Sequence, residues 1–384
     1  MSPAHKPIPV SVLTGFLGAG KTTLLNRLLK DPAMADTAVI INEFGDVAID
    51  HLLVEQASEG IIQLADGCLC CTVRGDLVDT LADLVDRLQT GRIPRLARVV
   101  IETTGLVDPA PVLQAIMGHP VLLQAYRLDG VVTLVDAVNG GPTLDNHVEA
   151  VKQVAMADRI VLTKTDLEPD AGPLRQRLRT LNPGAPIIDI ADQKAGVAAL
   201  FSCGLYDPET KTADVRRWLG EEAEHNRPHH HDHHHHENAG HDHGHGGYDH
   251  HHHHDHHRHD ARVQSISLTH EGPLAYSAVE TFLDILLSTQ GERLLRLKGI
   301  IELAEDPARP LVVHAVQRII HPPARLPAWP DDVRGTRLVL IMLDMPEDYV
   351  RRPFAAVTGQ PVIDGPDRAA LADNPLAIAG HPGR

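Results

Sequence analysis

The sequence predicts an α/β fold: a mainly parallel sheet covered by helices on both faces, then a smaller α+β domain. Three observations lead there. Short apolar, β-branched runs recur through the first half of the chain, and each ends in a glycine-rich or polar loop. An amphipathic helical pattern, DLVDTLADLVDRL (76–88), stands between two of them. Beyond a stretch made mostly of histidine, aspartate and glycine, strand-like and helical patterns resume.

In chain order, IPVSVLTGF (8–16) is the first strand pattern, and TTLLNRLLK (22–30) has helical spacing. TAVIINEFG (37–45), ARVVIETTG (97–105), GVVTLVDAV (130–138) and DRIVLTKTD (158–166) are further strand-then-loop units. Buried strands alternating with helices make a parallel sheet, and open sheets of this kind bind ligands beyond their strands' carboxyl ends. The loops at those ends are therefore the candidate site. A short helix is expected at about 210–224. Between His229 and His259 the chain carries 18 histidines and almost nothing apolar, so this stretch is expected to be disordered. After it, VQSISLT alternates as a strand and 274–287 reads as a helix. Residues 293–303, 311–320 and 336–344 read as strands, and 346–356 as a closing helix. The expected domains are thus 1–200, a linker with the histidine-rich insert at 201–261, a second domain at 262–360, and a flexible tail at 361–384.

A chain of 384 residues is long enough for two domains with cores of their own. The formal net charge of −16 argues against a nucleic-acid partner, which calls for a basic face. No apolar run reaches the length of a membrane-spanning helix, so no membrane partner is expected. The first residues, MSPAHKPIPV, lack a basic region followed by an apolar stretch, and a cytoplasmic location is expected. Nothing in the sequence sets an oligomeric state.

GFLGAGKT (15–22) matches GxxxxGK[ST] between a strand pattern and a helix pattern, the context a phosphate-binding loop requires. Gly15, Gly18 and Gly20 let the backbone curl so that its N–H groups, Ala19's among them, face phosphate oxygens. The helix that follows adds its positive end. Lys21 would reach the outer phosphates, with Thr22 supplying a hydroxyl to Mg²⁺ and Thr23 following it. In IETTG (101–105), Glu102 stands where an acid can hold Mg²⁺, and Gly105 where a backbone N–H can meet a γ-phosphate. In TKTD (163–166), Asp166 can accept two hydrogen bonds from guanine, and the stem of Lys164 can lie along the base.

GCLCC (67–71) holds three of the chain's four cysteines. In a reducing compartment such a cluster points to metal or redox chemistry rather than a disulfide. Cys68 and Cys70 share a face in an extended segment, and Cys71 joins them if the chain turns into the helix after it. A helix N-terminus lowers thiol pKa, and thiolates suit Zn²⁺. His51 and Glu43 are candidates for a further ligand, whereas Cys203 stands alone. Packing of small buried residues and a redox dithiol are the competing readings of the cluster. The histidine-rich insert reads as a metal-collecting arm beside its reading as a solvated linker.

GFLGAGKTT, INEFG, GCLCC, ETTGLVDP and TKTD, in that order, resemble the CobW-type GTPases, relatives of the nickel-insertion GTPases of urease and hydrogenase. The resemblance continues through LLRLKGII and PAWP and covers most of residues 8–357. It implies a P-loop GTPase domain and a GTP-hydrolysing metallochaperone that delivers a divalent metal, zinc or cobalt, to a client metalloprotein. By motif, Gly18 to Thr23 would hold phosphates and Mg²⁺. Asn42, Glu43 and Gly45 would form a nucleotide-responsive switch, and Lys164 and Asp166 would read guanine. Thr163 stands where many GTPases carry asparagine, which implies looser selectivity for the base. Cobalt delivery for cobalamin synthesis, a metal store or sensor with a vestigial P-loop, and a small-molecule kinase are the alternatives. The last of these leaves GCLCC unexplained. Deleting residues 229–259 is expected to lower total zinc bound per chain in equilibrium dialysis while sparing the tightest site. Loss of the tightest site would move the cargo from the thiolates to the insert.

Overall fold

The computed structural model describes residues 6–42, 62–63, 75–168, 170–192, 196–201 and 262–359. The expected helix at 210–224, the histidine-rich insert and the tail lie outside them.

The first part of the chain alternates strands and helices. They run β1 (Ile8–Gly15), α1 (Lys21–Leu28), β2 (Thr37–Asn42), β3 (Ile62–Gln63), α2 (Gly75–Gln89), β4 (Arg98–Thr103), α3 (Ala110–Gly118), α4 (Pro120–Ala125), β5 (Tyr126–Asp136), α5 (Gly140–Asn146), α6 (Val148–Ala155), β6 (Arg159–Thr163), α7 (Gly172–Leu181), β7 (Ile187–Asp189) and α8 (Val197–Leu200). The strands order as β3-β2-β4-β1-β5-β6-β7, and every pairing is parallel. Helices cover both faces, so the central strands are apolar almost throughout. Their few polar members are partnered: Ser11 donates to Asp129 at 3.0 Å and Thr103 to Thr14 at 2.8 Å. The sequence reading singled out α1 and α2 of these helices. It did not delimit α3 to α7, which are short or begin at proline or glycine rather than at a side-chain N-cap.

The second part is antiparallel. It comprises β8 (Val263–His270), α9 (Tyr276–Gln290), β9 (Leu294–Ile301), β10 (Leu311–Val316), β11 (Ile319–Ile320), β12 (Ala324–Arg325), β13 (Thr336–Leu343) and α10 (Asp348–Val357). The order is β11-β10-β9-β13-β8, with β12 on β10. The run at 311–320, expected as one strand, folds back as a hairpin. Gln317 takes a left-handed φ of 51°, and Val316 pairs with Ile319. That turn has no glycine or asparagine to announce it in the sequence.

One face of this sheet carries α9 and α10. The other joins the core of the first sheet through Val263, Leu295, Val316 and Ile341. Both faces of β9 are therefore buried, and two of its buried residues are cations. Arg296 and Lys298 converge on Asp158, at the entrance to β6, with Lys298 at 2.9 Å. Arg296 also donates to the Met156 carbonyl, and the Val131 N–H donates to Asp158 at 2.9 Å. Among the described residues, no helix is long and apolar enough to cross a membrane.

Burial pushes the Asp158 carboxyl upward, but Arg296 and Lys298 overcome this and hold it below the usual carboxylate range. The resulting stabilisation is complete above the unfolded pKa of about 3.9 and is lost as pH falls through the lower folded value. Asp158→Asn is expected to destabilise the fold by about 3–5 kcal/mol at pH 7, because two buried cations lose their carboxylate. Urea unfolding at pH 7 and at pH values below the unfolded pKa of about 3.9 measures this, and the deficit narrows as the solution becomes more acid.

Candidate functional site

The phosphate loop sits at the carboxyl end of β1. Gly15, Gly18 and Gly20 have φ of 141°, 74° and 92°, a region that disfavours any side chain. At Gly15 a Cβ would also lie 2.5 Å from the Leu134 carbonyl oxygen of β5, so only glycine fits. Ala19 is buried beneath the loop. Lys21, the first residue of α1, folds its ammonium back onto the carbonyls of Gly15 at 2.9 Å and Phe16 at 3.3 Å. Register carries β4 alongside, with Glu102 opposite Leu13. The Thr22 hydroxyl donates to Glu102 at 3.3 Å, and Glu102 is only 4% exposed. Lys21, Thr22, Thr23, Glu102 and Gly105 line one cavity of about 300 Å³. Asn42 ends β2 in register with Thr103, which brings the backbone of that strand end to the same rim.

A cation and a phosphate chain fit these residues. The hydroxyl and acid that would hold Mg²⁺ already touch. The lysine stands at the glycine loop, and no Cβ fills the space over Gly18. Gly105 presses on the loop from the other side, where a Cβ would lie 2.5 Å from the Leu17 nitrogen.

The TKTD loop is braced residue by residue. The Thr163 hydroxyl lies 2.8 Å from the Ala19 carbonyl and 3.3 Å from that of Val135, which ties this loop to the phosphate loop. Lys164, at a φ of 57°, pairs with Asp136 at 2.7 Å. The Thr165 hydroxyl donates to Asp189 at 2.7 Å, and Asp189 also pairs with Arg175. Asp166 stands exposed at the tip and accepts no hydrogen bond from the described residues. Burial raises Asp136, but hydrogen bonds from Lys164, Asn139 and two backbone N–H groups outweigh it and hold the carboxyl below its usual range. Asp189 is held low likewise, by the Ala191 N–H, Thr165 and Arg175 against burial. Both braces stay ionised at neutral pH.

The structure thus brings Gly15, Gly18, Ala19, Gly20, Lys21, Thr22, Thr23, Glu102 and Gly105 together, with Lys164 across the loop. Asp166 does not line the phosphate cavity. Glu43, Gly45, His51, Cys68, Cys70, Cys71 and Cys203 lie outside the described residues. Among the described residues, no group of three or more His, Cys, Asp or Glu side chains could hold a metal ion. Sequence reasoning passed over Asp136, Asp189 and Gln153. The two aspartates had a signal, since each is an acid closing an apolar run. Gln153, whose amide donates to the Gly105 and Val107 carbonyls at 3.1 Å each, had none.

A glycine loop with Lys21, Thr22 and Glu102 at the carboxyl end of a parallel sheet defines a P-loop nucleotide-binding protein. Its first part matches the family model for the CobW/HypB/UreG nucleotide-binding domain over residues 9–189, and its second the cobalamin synthesis protein cobW C-terminal domain over 263–358. The zinc chaperone YjiA of Escherichia coli (strain K12) is 34% identical over 351 residues, 91% of this chain and 99% of that one. The zinc chaperone CobW of a Sinorhizobium species is 33% identical, over 91% and 97% of the two chains. The crystal structure of the Zn(II)-bound YjiA GTPase from E. coli aligns with a TM-score of 0.64 at 29% identity, over 92% and 99% of the two chains. The chain belongs to the CobW family.

Thr163→Val keeps the volume and removes the hydroxyl, leaving the Ala19 carbonyl without this donor. A loss of about 1–3 kcal/mol is expected in chemical denaturation, together with weaker binding of GDP and GTP alike. Unchanged nucleotide affinity would mean the two loops are held together by other contacts.

Proposed function

We propose that this protein is a GTP-hydrolysing metallochaperone. It carries zinc at Cys68, Cys70 and Cys71 and passes it to a client metalloprotein under nucleotide control, in the cytoplasm. The observation that carries the reading is the Lys21, Thr22 and Glu102 constellation in one cavity, in a chain collinear with the zinc chaperone YjiA.

In this reading residues 1–200 are the GTPase domain and 262–360 the CobW-type C-terminal domain, with 201–261 the linker and 361–384 the tail. Lys21 neutralises the outer phosphates, and the glycine loop's N–H groups face their oxygens. Thr22 and Glu102 hold Mg²⁺, which when bound neutralises charge on the phosphate oxygens. Gly105 presents its N–H to the γ-phosphate. Lys164 and Asp166 read guanine, with Asp136 and Asp189 fixing the loop that carries them. Transfer of the phosphoryl group to water needs little covalent chemistry from the protein, only position and charge. Asn42, Glu43 and Gly45 act as the nucleotide-responsive switch, so the nucleotide state sets zinc affinity.

The test is a competitive chelator titration of Zn²⁺, with a GTP analogue, with GDP and with neither. Zinc affinity is expected to differ between the first two states by roughly 5–150-fold, the range of ordinary allosteric coupling, and zinc should tighten the analogue by the same factor. Equal affinities in all three states would sink nucleotide-gated delivery. Lys21→Ala is expected to remove most GTP turnover in a folded protein.

A further inference from the structure

Helix α6 touches more of this site than its length suggests. At its start the His147 ring stacks on Phe16 of the phosphate loop, centroids 4.4 Å apart. On its inner face Gln153, only 1% exposed, donates both amide hydrogens into the loop after β4, to the carbonyls of Gly105 and Val107. Its own backbone carbonyl accepts the Thr133 hydroxyl at 2.8 Å, which fixes the helix on β5. Lys152 adds an ion pair to Asp108 at 2.9 Å. The loop of residues 105–108 is thereby gripped at three points by two consecutive side chains. Just past the helix end, the Met156 carbonyl and Asp158 are held by Arg296, and Asp158 also by Lys298.

We infer that Gln153 positions the 104–108 loop against the phosphate cavity, and that α6 makes this position answer to the C-terminal sheet. The inference rests on the reading of that cavity as the GTP site. A buried primary amide with both hydrogens on one loop is a two-point clamp, and the buried Gly105 carbonyl it would leave has no access to water in exchange. The loop's other neighbour is the phosphate loop itself, where Gly105 lies against the Leu17 nitrogen. A shift of α6 therefore moves Gly105 relative to the phosphates. The far end of α6 is held from α7 by Asn182, whose amide lies 2.8–3.2 Å from the Val154, Ala155 and Ala157 carbonyls, and from the C-terminal sheet by Arg296 on the Met156 carbonyl. The C-terminal sheet thus has a short physical route to the residue that meets the third phosphate.

The experiment uses the full chain. Gln153→Met keeps the side chain's length and removes both donors. Hydrogen exchange of the 104–108 amides in nucleotide-free protein should quicken, with β1 unchanged. The kcat for GTP should fall roughly ten- to a hundredfold, the scale of an ångström-size misplacement, while GDP affinity holds. Arg296→Lys keeps the charge on Asp158 but not the guanidinium's second bond to Met156. It should reproduce both effects in weaker form, and Lys298→Met is the second variant should Arg296→Lys not fold. Equal losses for GDP and GTP, or unchanged loop exchange and kcat in Gln153→Met, would reduce Gln153 to packing and overturn the proposal. Effects in Gln153→Met with none in Arg296→Lys or Lys298→Met would overturn the link to the C-terminal sheet. Absence of GTP turnover in the unaltered protein would instead count against the nucleotide reading, and the exchange measurement separates the two failures.

Discussion

Asp158 is a carboxylate sealed inside the molecule, and three parts of the fold meet on it. It shares a reciprocal pair of hydrogen bonds with Val131, its own N–H giving to the Val131 carbonyl at 2.8 Å and the Val131 N–H returning to the carboxylate. That locks the entrance of β6 to β5. Arg296 and Lys298, two positions apart on β9 and hence on one face of it, reach the same carboxylate across the interface. Around them the contact is apolar. An ion pair so buried adds little net stability over a well-packed apolar pair, because desolvation offsets attraction. Its effect falls on the alternatives: a docking of the sheet in any other register would strand a charge without water. The apolar contacts make the two parts cohere, and the carboxylate sets how.

From that fixed edge the site is laid out strand by strand. The sheet order puts β4, β1, β5 and β6 side by side, so that Glu102, the glycine loop, Asp136 and TKTD meet at their carboxyl ends. Cross-bonds between neighbours then set the spacing: Thr22 to Glu102, Thr163 to Ala19, Lys164 to Asp136, and Thr165 to Asp189. Every residue of TKTD but the last is engaged. Asp166, at the tip of that braced loop, is left exposed, which is the arrangement the proposed reading of guanine calls for. Thr163 brings more than its place in a loop suggests, since one hydroxyl bridges the TKTD loop and the glycine loop.

What was legible in the sequence follows from what each signal encodes. Strand runs such as VVIET and IVLT are read correctly because a strand buried on both faces is a short run of mostly apolar, β-branched residues that ends in a loop signal. The phosphate loop is legible because its glycines answer a local demand on φ, written at fixed spacing. The hairpin at Gln317 was missed because no residue there favours a left-handed backbone; pairing of Val316 with Ile319 imposes it. Gln153, Arg296 and Lys298 were missed for a related reason. Their roles depend on partners 48, 138 and 140 positions away, and a lone glutamine in a helix or cation in a strand carries no local mark of the carbonyl or carboxylate it will meet.

The contact of Gly105 with the phosphate loop closes the circuit. A methyl group at Gly105 would sit 2.5 Å from the Leu17 nitrogen, so the loop after β4 and the crest of the phosphate loop compete for one space. Neither can move far without the other. The crest also bears Phe16, stacked on His147 at the start of α6, while the loop after β4 hangs from Gln153, two residues short of the helix end. Both loops are therefore held by one helix about 12 Å long, whose far end abuts Asp158. A helix of that length transmits displacement almost rigidly, since bending it would break backbone hydrogen bonds in its interior. The Gly105 carbonyl and the Asp158 carboxylate are in this way both anchored near the carboxyl end of one short helix, with Phe16 stacked at its start.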